Sequence, residues 1–158
     1  SVVISGARRA DASRRRVRVV ATASVLYPDT DWIMGWDVRD TGLKVILSSA
    51  LADFIRDHVA ADVRAFVRSQ GYDMAEIDHW ICHPVGPKVL SALEESLELE
   101  PRALRRSREL LEEVGNLSSA SVLFVLDRTL PDAGPGDLGV LMAMGPGFCA
   151  ELVLLSWS

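Results

Sequence analysis

Cysteine is scarce in this chain. Cys82 and Cys149 are the whole complement. Two thiols make no disulfide framework and no metal set. His79 and His83 stand four apart, but no carboxylate cluster joins them to complete a metal site. Long apolar runs are lacking as well. No stretch approaches the ~20 apolar residues that span a bilayer. No apolar centre followed by a cleavage site marks a secretory signal, so the default expectation is a cytoplasmic protein. An excess of positive charge is also absent. The net charge of −5 argues against a nucleic-acid partner. Phosphate loops are missing too. The Gly-Pro-Gly at 134–136 lacks a Lys-Ser/Thr helix start, and the one at 145–147 lies between strands. There is no internal repeat and no low-complexity tract.

What remains describes a globular domain. Hydrophobic residues make up 49% and charged residues 25% of 158 positions. That length suits one domain with a real core. The chain starts without Met, and Val2, Val3 and Ile4 read as a strand already under way, so a piece of something longer is expected. Residues 5–16 carry five arginines among small polar residues and read as a solvated loop rather than a phosphate contact.

Residues 17–26 are rich in β-branched side chains and predict a strand, followed by a turn at 27–31. Residues 32–47 contain two tryptophans, a Met and two glycines without a clean period. They suit a pocket-shaping segment or an irregular packed connection equally. Leu51, Phe54, Ile55, Val59, Val63, Phe66 and Val67 form one apolar stripe at helical spacing, which predicts a helix over 48–69. Ser48 or Ser49 would cap it and Gly71 would stop it. His79–His83 reads as a short strand ended by Pro84. Helices are expected from Pro87 and from Pro101 to about Val114, with Arg105, Arg106 and Arg108 on a wet face. The run VLFVL at 122–126 is apolar on every side, which predicts a helix enclosed all round and capped by Ser118 or Ser119. Two strands around the Gly145-Pro146-Gly147 turn finish the chain. The order suggests an α/β fold, a mixed sheet covered by helices.

Cys82 and His83 do not make a nucleophile and its base. Adjacent residues on a strand point to opposite faces, and activation needs hydrogen-bond reach. Cys82 and Cys149 therefore read as small buried hydrophobes. His58 and His79 read as structural. His83 at a strand end, Asn116 in a Gly-Asn turn, and Gly145-Pro146-Gly147 are loop positions on a rigid scaffold, where catalytic groups tend to lie.

Three segments in order carry a resemblance: HPVGPKVLSALEESLEL, RRSRELLEEVGNLSSASVLFVLD and MAMGPGFCAELVLL. Together they closely resemble the C-terminal half of type III polyketide synthases, the chalcone and stilbene synthase family. The GWDVRDTGLKVILS stretch is most similar to bacterial members. The resemblance implies one half of a thiolase-like α-β-α-β-α layered fold, with residues 17–158 as the C-terminal domain. Residues 1–16 would be the end of the preceding half and its connection. It also implies a homodimer of the complete enzyme, and condensation of malonyl-CoA with an acyl-CoA starter. Coenzyme A thioesters would be the substrates, and no cofactor is called for.

On the same basis His83 and Asn116 match the family's catalytic histidine and asparagine. The family's nucleophilic cysteine belongs to the N-terminal half, so that half is the expected partner. Val45, Val85, Gly86, Ser118, Gly145, Pro146 and Gly147 match substrate-binding positions. Two departures stand out. Val85 replaces the first of two glycines, where a β-branched side chain would restrict the turn and narrow the approach to His83. Val45 stands where many plant members have phenylalanine, which would leave room for a long fatty acyl starter and for alkylpyrone or alkylresorcinol products. A β-ketoacyl synthase of the type III kind, or a noncatalytic pairing module of the same fold, are the alternatives.

Overall fold

The computed structural model describes residues 17–158; the basic loop and the apolar start predicted at 1–16 lie outside the described residues. Strands β1 (Val17–Leu26), β4 (His79–Cys82), β5 (Leu138–Gly145) and β6 (Cys149–Trp157) form one sheet in the order β1-β6-β5-β4. The β1–β6 and β6–β5 pairs are antiparallel, whereas β4 runs parallel to β5 with Cys82 opposite Met142. This is the predicted mixed sheet.

Side-chain alternation makes the sheet two-faced. Trp80, Cys82, Val140, Met142, Met144, Ala150, Leu152 and Leu154 join one buried cluster with Ile55, Val59, Val63, Leu90 and Leu93 of the helices. Ile81, Leu155 and Trp157 join a second cluster with Leu110, Val122 and Val125. Each such aliphatic side chain, fully buried, contributes about 1.5–3 kcal/mol. Because both faces are covered there, β4, β5 and β6 read as largely apolar runs rather than strict polar–apolar alternations.

The first helical layer is α1 (Leu51–Phe54), a π-helical turn (Ile55–Val59) and α2 (Ala60–Ser69), continuous in sequence, with α3 (Pro87–Leu97) beside it. No side chain caps α1 at Ala50; Ser48 Oγ instead accepts the Ala50 N–H at 3.2 Å. Gly71, at φ +84°, ends the run as expected. Helix α4 (Arg105–Val114) starts later than predicted, because residues 101–104 form turns in which Ala103 N–H donates to the Glu100 carbonyl. Its arginines are paired rather than merely wet: Arg105 and Arg106 hold Asp132, and Arg108 holds Glu94.

Two expectations are corrected. Residues 32–47 are neither irregular nor a buried connection. They contain the hairpin β2 (Met34–Arg39) and β3 (Gly42–Leu47), with Met34 opposite Leu47, Trp36 opposite Val45 and Val38 opposite Leu43. Those six apolar residues share one hairpin face, on which Trp36, Val38, Leu43, Val45 and Leu47 are exposed. Helix α5 (Ala120–Thr129) forms as predicted, and its open side is what one half of a layered fold implies: Val122 and Val125 are buried while Leu123 and Phe124 are 42% and 49% exposed. Ser118 and Ser119, however, do not cap it. Ser121, the second residue of the helix, does the local work by accepting the Leu117 N–H on its Oγ at 2.8 Å.

His79 also gains a partner that sequence reading did not give it. Its Nε2 lies 2.7 Å from Asp137 Oδ2, and Asp137 also accepts the Gly134 N–H at 2.8 Å. That backbone bond, and then the imidazole, hold the Asp137 carboxyl below the usual carboxylate range. The His79 ring lies 5.2 Å from the indole of Trp157. Gly139 is obligatory beside them, since a Cβ there would stand 2.7 Å from that indole. These contacts fix the end of the sheet opposite His83.

Ser107 links α4 to β4. Fully buried, its hydroxyl donates to the Cys82 carbonyl at 2.6 Å. Replacing it by alanine leaves that carbonyl without its side-chain donor, so Ser107→Ala should lower stability by about 1–3 kcal/mol. Urea denaturation should show a lower midpoint with an unchanged slope; an unchanged midpoint contradicts this account of the bond.

Candidate functional site

Parallel pairing places the carboxyl ends of β4 and β5 at the same edge of the sheet. In open α/β sheets this edge is where ligands bind. His83 follows β4 directly, and its N–H continues the ladder by donating to the Met142 carbonyl at 2.9 Å. Cys82 faces the first core cluster, so by alternation His83 turns to the α5 side. The two side chains diverge as the sequence predicts. Cys82 is fully buried and burial, with Glu94 nearby, pushes its thiol far up from its ordinary range, so it is no nucleophile.

His83 is only 7% exposed, yet its Nδ1 has no hydrogen-bond partner. Burial lowers the imidazole from its ordinary value of 6.5, which favours the neutral ring. A neutral imidazole presents one N–H donor and one acceptor. A buried polar atom left unpaired in a native fold calls for an explanation, and a reacting group is one of the few on offer.

The loop after His83 is shaped by its own backbone. Val85 N–H donates back to the His83 carbonyl at 3.0 Å. The Val85 side chain packs against the first core cluster, and Val85 is not among the residues with positive φ. A β-branched side chain is therefore accommodated in this turn. Gly86 is extended at φ 177° and serves as the N-cap of α3, with Pro87 in the first turn. A Cβ at Gly86 would meet nothing within 4 Å, so packing within this chain does not demand glycine there.

Asn116 approaches from the other side. Helix α4 ends at Gly115, whose φ of +75° turns the chain. Asn116 Oδ1 then accepts the Ser118 N–H at 2.8 Å, which holds Ser118 at φ +58° and fixes the amide plane. The Asn116 Nδ2 donates to the Val85 carbonyl at 3.4 Å, a long bond that leaves its second N–H unused there. The loop of Asn116 thus meets the loop of His83, through Val85. Both residues lie at the edge where α5 begins. Ser118 is exposed, and its contribution here is its backbone.

Gly145, Pro146 and Gly147 join β5 to β6 at that same edge. Gly147, at φ +133°, donates its N–H to the Met34 carbonyl at 3.0 Å, which ties this turn to the base of the β2–β3 hairpin. Val45 stands on that hairpin, 53% exposed. The nine residues singled out in the sequence therefore fall into two sets. His83, Val85, Gly86, Asn116 and Ser118 form a contiguous group; Val45 with Gly145, Pro146 and Gly147 forms a second, linked by Met34. Sequence reading missed Thr30 and Phe148, which bind the second set together and whose only signal was a threonine after Pro-Asp. A surface groove of about 480 Å³ lies elsewhere, lined by Glu94, Arg102, Arg105 and Glu112 among others, and includes none of the nine. Among the described residues no cluster of three His, Cys, Asp or Glu is placed to hold a metal ion, and no helix is long and apolar enough to cross a membrane.

Known proteins give this geometry a context. Residues 18–157 match the family model described as chalcone and stilbene synthases, C-terminal domain. A 1,3,6,8-tetrahydroxynaphthalene synthase of Streptomyces peucetius subsp. caesius is 49% identical over 158 residues, 96% of this chain and 41% of the relative. A putative chalcone synthase of Bacillus subtilis (strain 168) is 32% identical over 152 residues, 95% of this chain and 42% of the relative. Among solved structures, the 1,3,6,8-tetrahydroxynaphthalene synthase of Streptomyces coelicolor A3(2), a bacterial type III polyketide synthase, superposes with a TM-score of 0.83 at 34% identity over 90% of this chain and 41% of that one. The enzyme PKS-I of the brown alga Ectocarpus siliculosus gives 0.82 at 25% identity, over 90% of this chain and 40% of that one. The chain thus spans about two fifths of the length of the curated relatives it matches. Its mixed sheet and covering helices are one half of the thiolase-like fold, and the chain belongs to the chalcone and stilbene synthase family, of which it is the C-terminal domain.

Proposed function

We propose that this chain is the C-terminal part of a type III polyketide synthase, an acyltransferase that condenses malonyl-CoA onto an acyl-CoA starter. The observation that carries this reading is His83: buried, with an unpartnered ring nitrogen, and joined to Asn116 through Val85. A cysteine from the N-terminal half attacks the starter thioester, coenzyme A leaves as its thiol, and the acyl group rests on that sulfur. His83 and Asn116 then donate hydrogen bonds to the malonyl thioester oxygen. Loss of carbon dioxide leaves the electron pair of the broken bond in an enolate, whose negative charge builds on that oxygen. Fixed donors in a dry site stabilise it. The enolate carbon attacks the cysteine-bound acyl carbonyl, a carbon–carbon bond forms, and the thiolate leaves. A thiolate beside His83 would also favour the imidazolium, opposing the effect of burial.

The starter is proposed to be small. A long fatty acyl chain was expected from Val45, but Val45 lies directly across the hairpin from Trp36, whose indole takes up room beside it. The most similar relative named above is a tetrahydroxynaphthalene synthase, and a naphthalene skeleton is a set of two-carbon units without an alkyl tail. The apolar faces left open on the hairpin and on α5 support the N-terminal half as a partner and a larger assembly, a homodimer by family expectation.

The test uses this chain joined to or mixed with its N-terminal half. Product formation from malonyl-CoA should fall on the order of 100-fold or more in His83→Ala and in Asn116→Ala. Activity that survives both substitutions sinks the assignment. Turnover only with carrier-protein-bound malonyl groups would instead favour a β-ketoacyl synthase. Malonyl-CoA alone should suffice; an absolute need for a fatty acyl-CoA would reinstate the long starter.

The burial of His83 has its own consequence for stability. Its folded-state pKa is lowered, so the unfolded chain binds the proton more readily. Stability from this group is intact above about pH 6.5 and declines as pH falls below it. Chemical denaturation across pH 5–7 should therefore show a loss on acidification that His83→Gln reduces, and equal slopes in both proteins refute it.

A further inference from the structure

A closed ring of hydrogen bonds holds the Gly145-Pro146-Gly147 turn from behind. Tyr27 N–H donates to the Phe148 carbonyl at 3.0 Å. Phe148 N–H donates to Thr30 Oγ1 at 2.8 Å. Thr30 Oγ1–H donates to the Tyr27 carbonyl at 2.6 Å, which completes the circuit. Thr30 is 8% exposed and Phe148 is fully buried. Outside the ring, Gly147 N–H reaches the Met34 carbonyl and Ile33 N–H reaches the Thr30 carbonyl, at 3.0 and 2.9 Å. One hydroxyl thus stands between the turn joining β5 to β6 and the base of the hairpin that carries Trp36 and Val45.

The clasp is anchored on the helical layer too. The Tyr27 hydroxyl donates to Asp62 Oδ2 of α2 at 2.6 Å. The rings of Tyr27 and Phe148 lie 5.6 Å apart, and each packs on Phe54 of α1, at 5.1 and 5.4 Å. Phe148 therefore has two independent constraints, aromatic packing on its side chain and hydrogen bonds on its backbone. Packing resists displacement of the ring, but only the hydrogen bonds fix the plane of the peptide that leads into the turn.

We propose that Thr30 is a positioning residue: by accepting from Phe148 and donating to Tyr27, it fixes the Gly145–Gly147 turn against the β2–β3 hairpin and so sets the space in which the growing chain is held. This deepens the polyketide reading and rests on it. Thr30 touches no reacting atom. Its influence falls on later extensions and on product size, not on the donors that decarboxylate malonyl-CoA, because His83 and Asn116 are held by separate bonds through Met142, Val85 and Ser118.

The experiment compares the complete enzyme with Thr30→Val, which keeps the shape and removes both bonds, and Thr30→Ser, which keeps the hydroxyl. Carbon dioxide release from malonyl-CoA should stay within about twofold of the unsubstituted enzyme in both variants. The ratio of full-length to early-released product should fall about tenfold in Thr30→Val and recover in Thr30→Ser, since small misplacements at a reacting site cost this much or more. An unchanged ratio in Thr30→Val overturns the proposal. So does a fall in carbon dioxide release equal to the fall in product, which would mark a merely structural role. If Thr30→Val does not fold, Tyr27→Phe removes the Asp62 anchor and should move the ratio the same way by less; no movement overturns the proposal. If the unsubstituted enzyme consumes no malonyl-CoA, the polyketide reading fails separately. The clasp is then read by hydrogen exchange: faster exchange at Phe148 in Thr30→Val supports it, and equal exchange overturns it.

Discussion

The parallel pairing of β4 on β5 is the constraint on which the site depends. It brings the carboxyl ends of two strands, far apart in sequence, to one edge of the sheet. One strand delivers His83 there and the other delivers the Gly-Pro-Gly turn. A parallel pair needs a long crossover, and here it contains α3, α4 and α5. The turn between α4 and α5, midway along that crossover, carries Asn116 back to the same edge. A slip of one residue in β4 would move Cys82 out of the core and turn His83 into it. The register is held against this by burial on both faces and, at the far end, by His79, Asp137, Gly139 and Trp157.

Much of this was legible in the sequence because it rests on local pattern. The β-branched run at 17–26, the helical stripe from Leu51 to Val67 and the strand stopped by Pro84 all follow from side-chain spacing. The hairpin at 34–47 shows why the rest was missed. Its alternation is present, with Met34, Trp36 and Val38 on one strand and Leu43, Val45 and Leu47 on the other. Yet its apolar face is left exposed in this chain, and a stripe facing outwards does not look like a strand that packs. Helix α5 was legible, because its composition demands a wall on every side, and among the described residues Leu123 and Phe124 are left exposed.

The site was legible in part through motifs and in part not at all. His83 and Asn116 came from the resemblance; what no local pattern reveals is that Val85 joins them by its carbonyl. Val85 also shows how a departure from the motif is accommodated. A β-branched side chain does stiffen a turn, but this turn needs no positive φ at that position, and the side chain finds room in the core. Thr30 could not be found from spacing. Its importance lies in three hydrogen bonds that close only after residues 27–34 and 145–148 meet in the fold.

Gly86 separates two kinds of constraint that are usually mixed. Gly139 is glycine because the chain's own tryptophan leaves no room for anything larger. Gly86 has ample room, and its backbone is one that any residue adopts. In evolutionary terms, selection for glycine at position 139 can act through folding alone. At position 86 the described residues give it nothing to act through, so any demand for glycine there would come from the shape of whatever approaches from outside them.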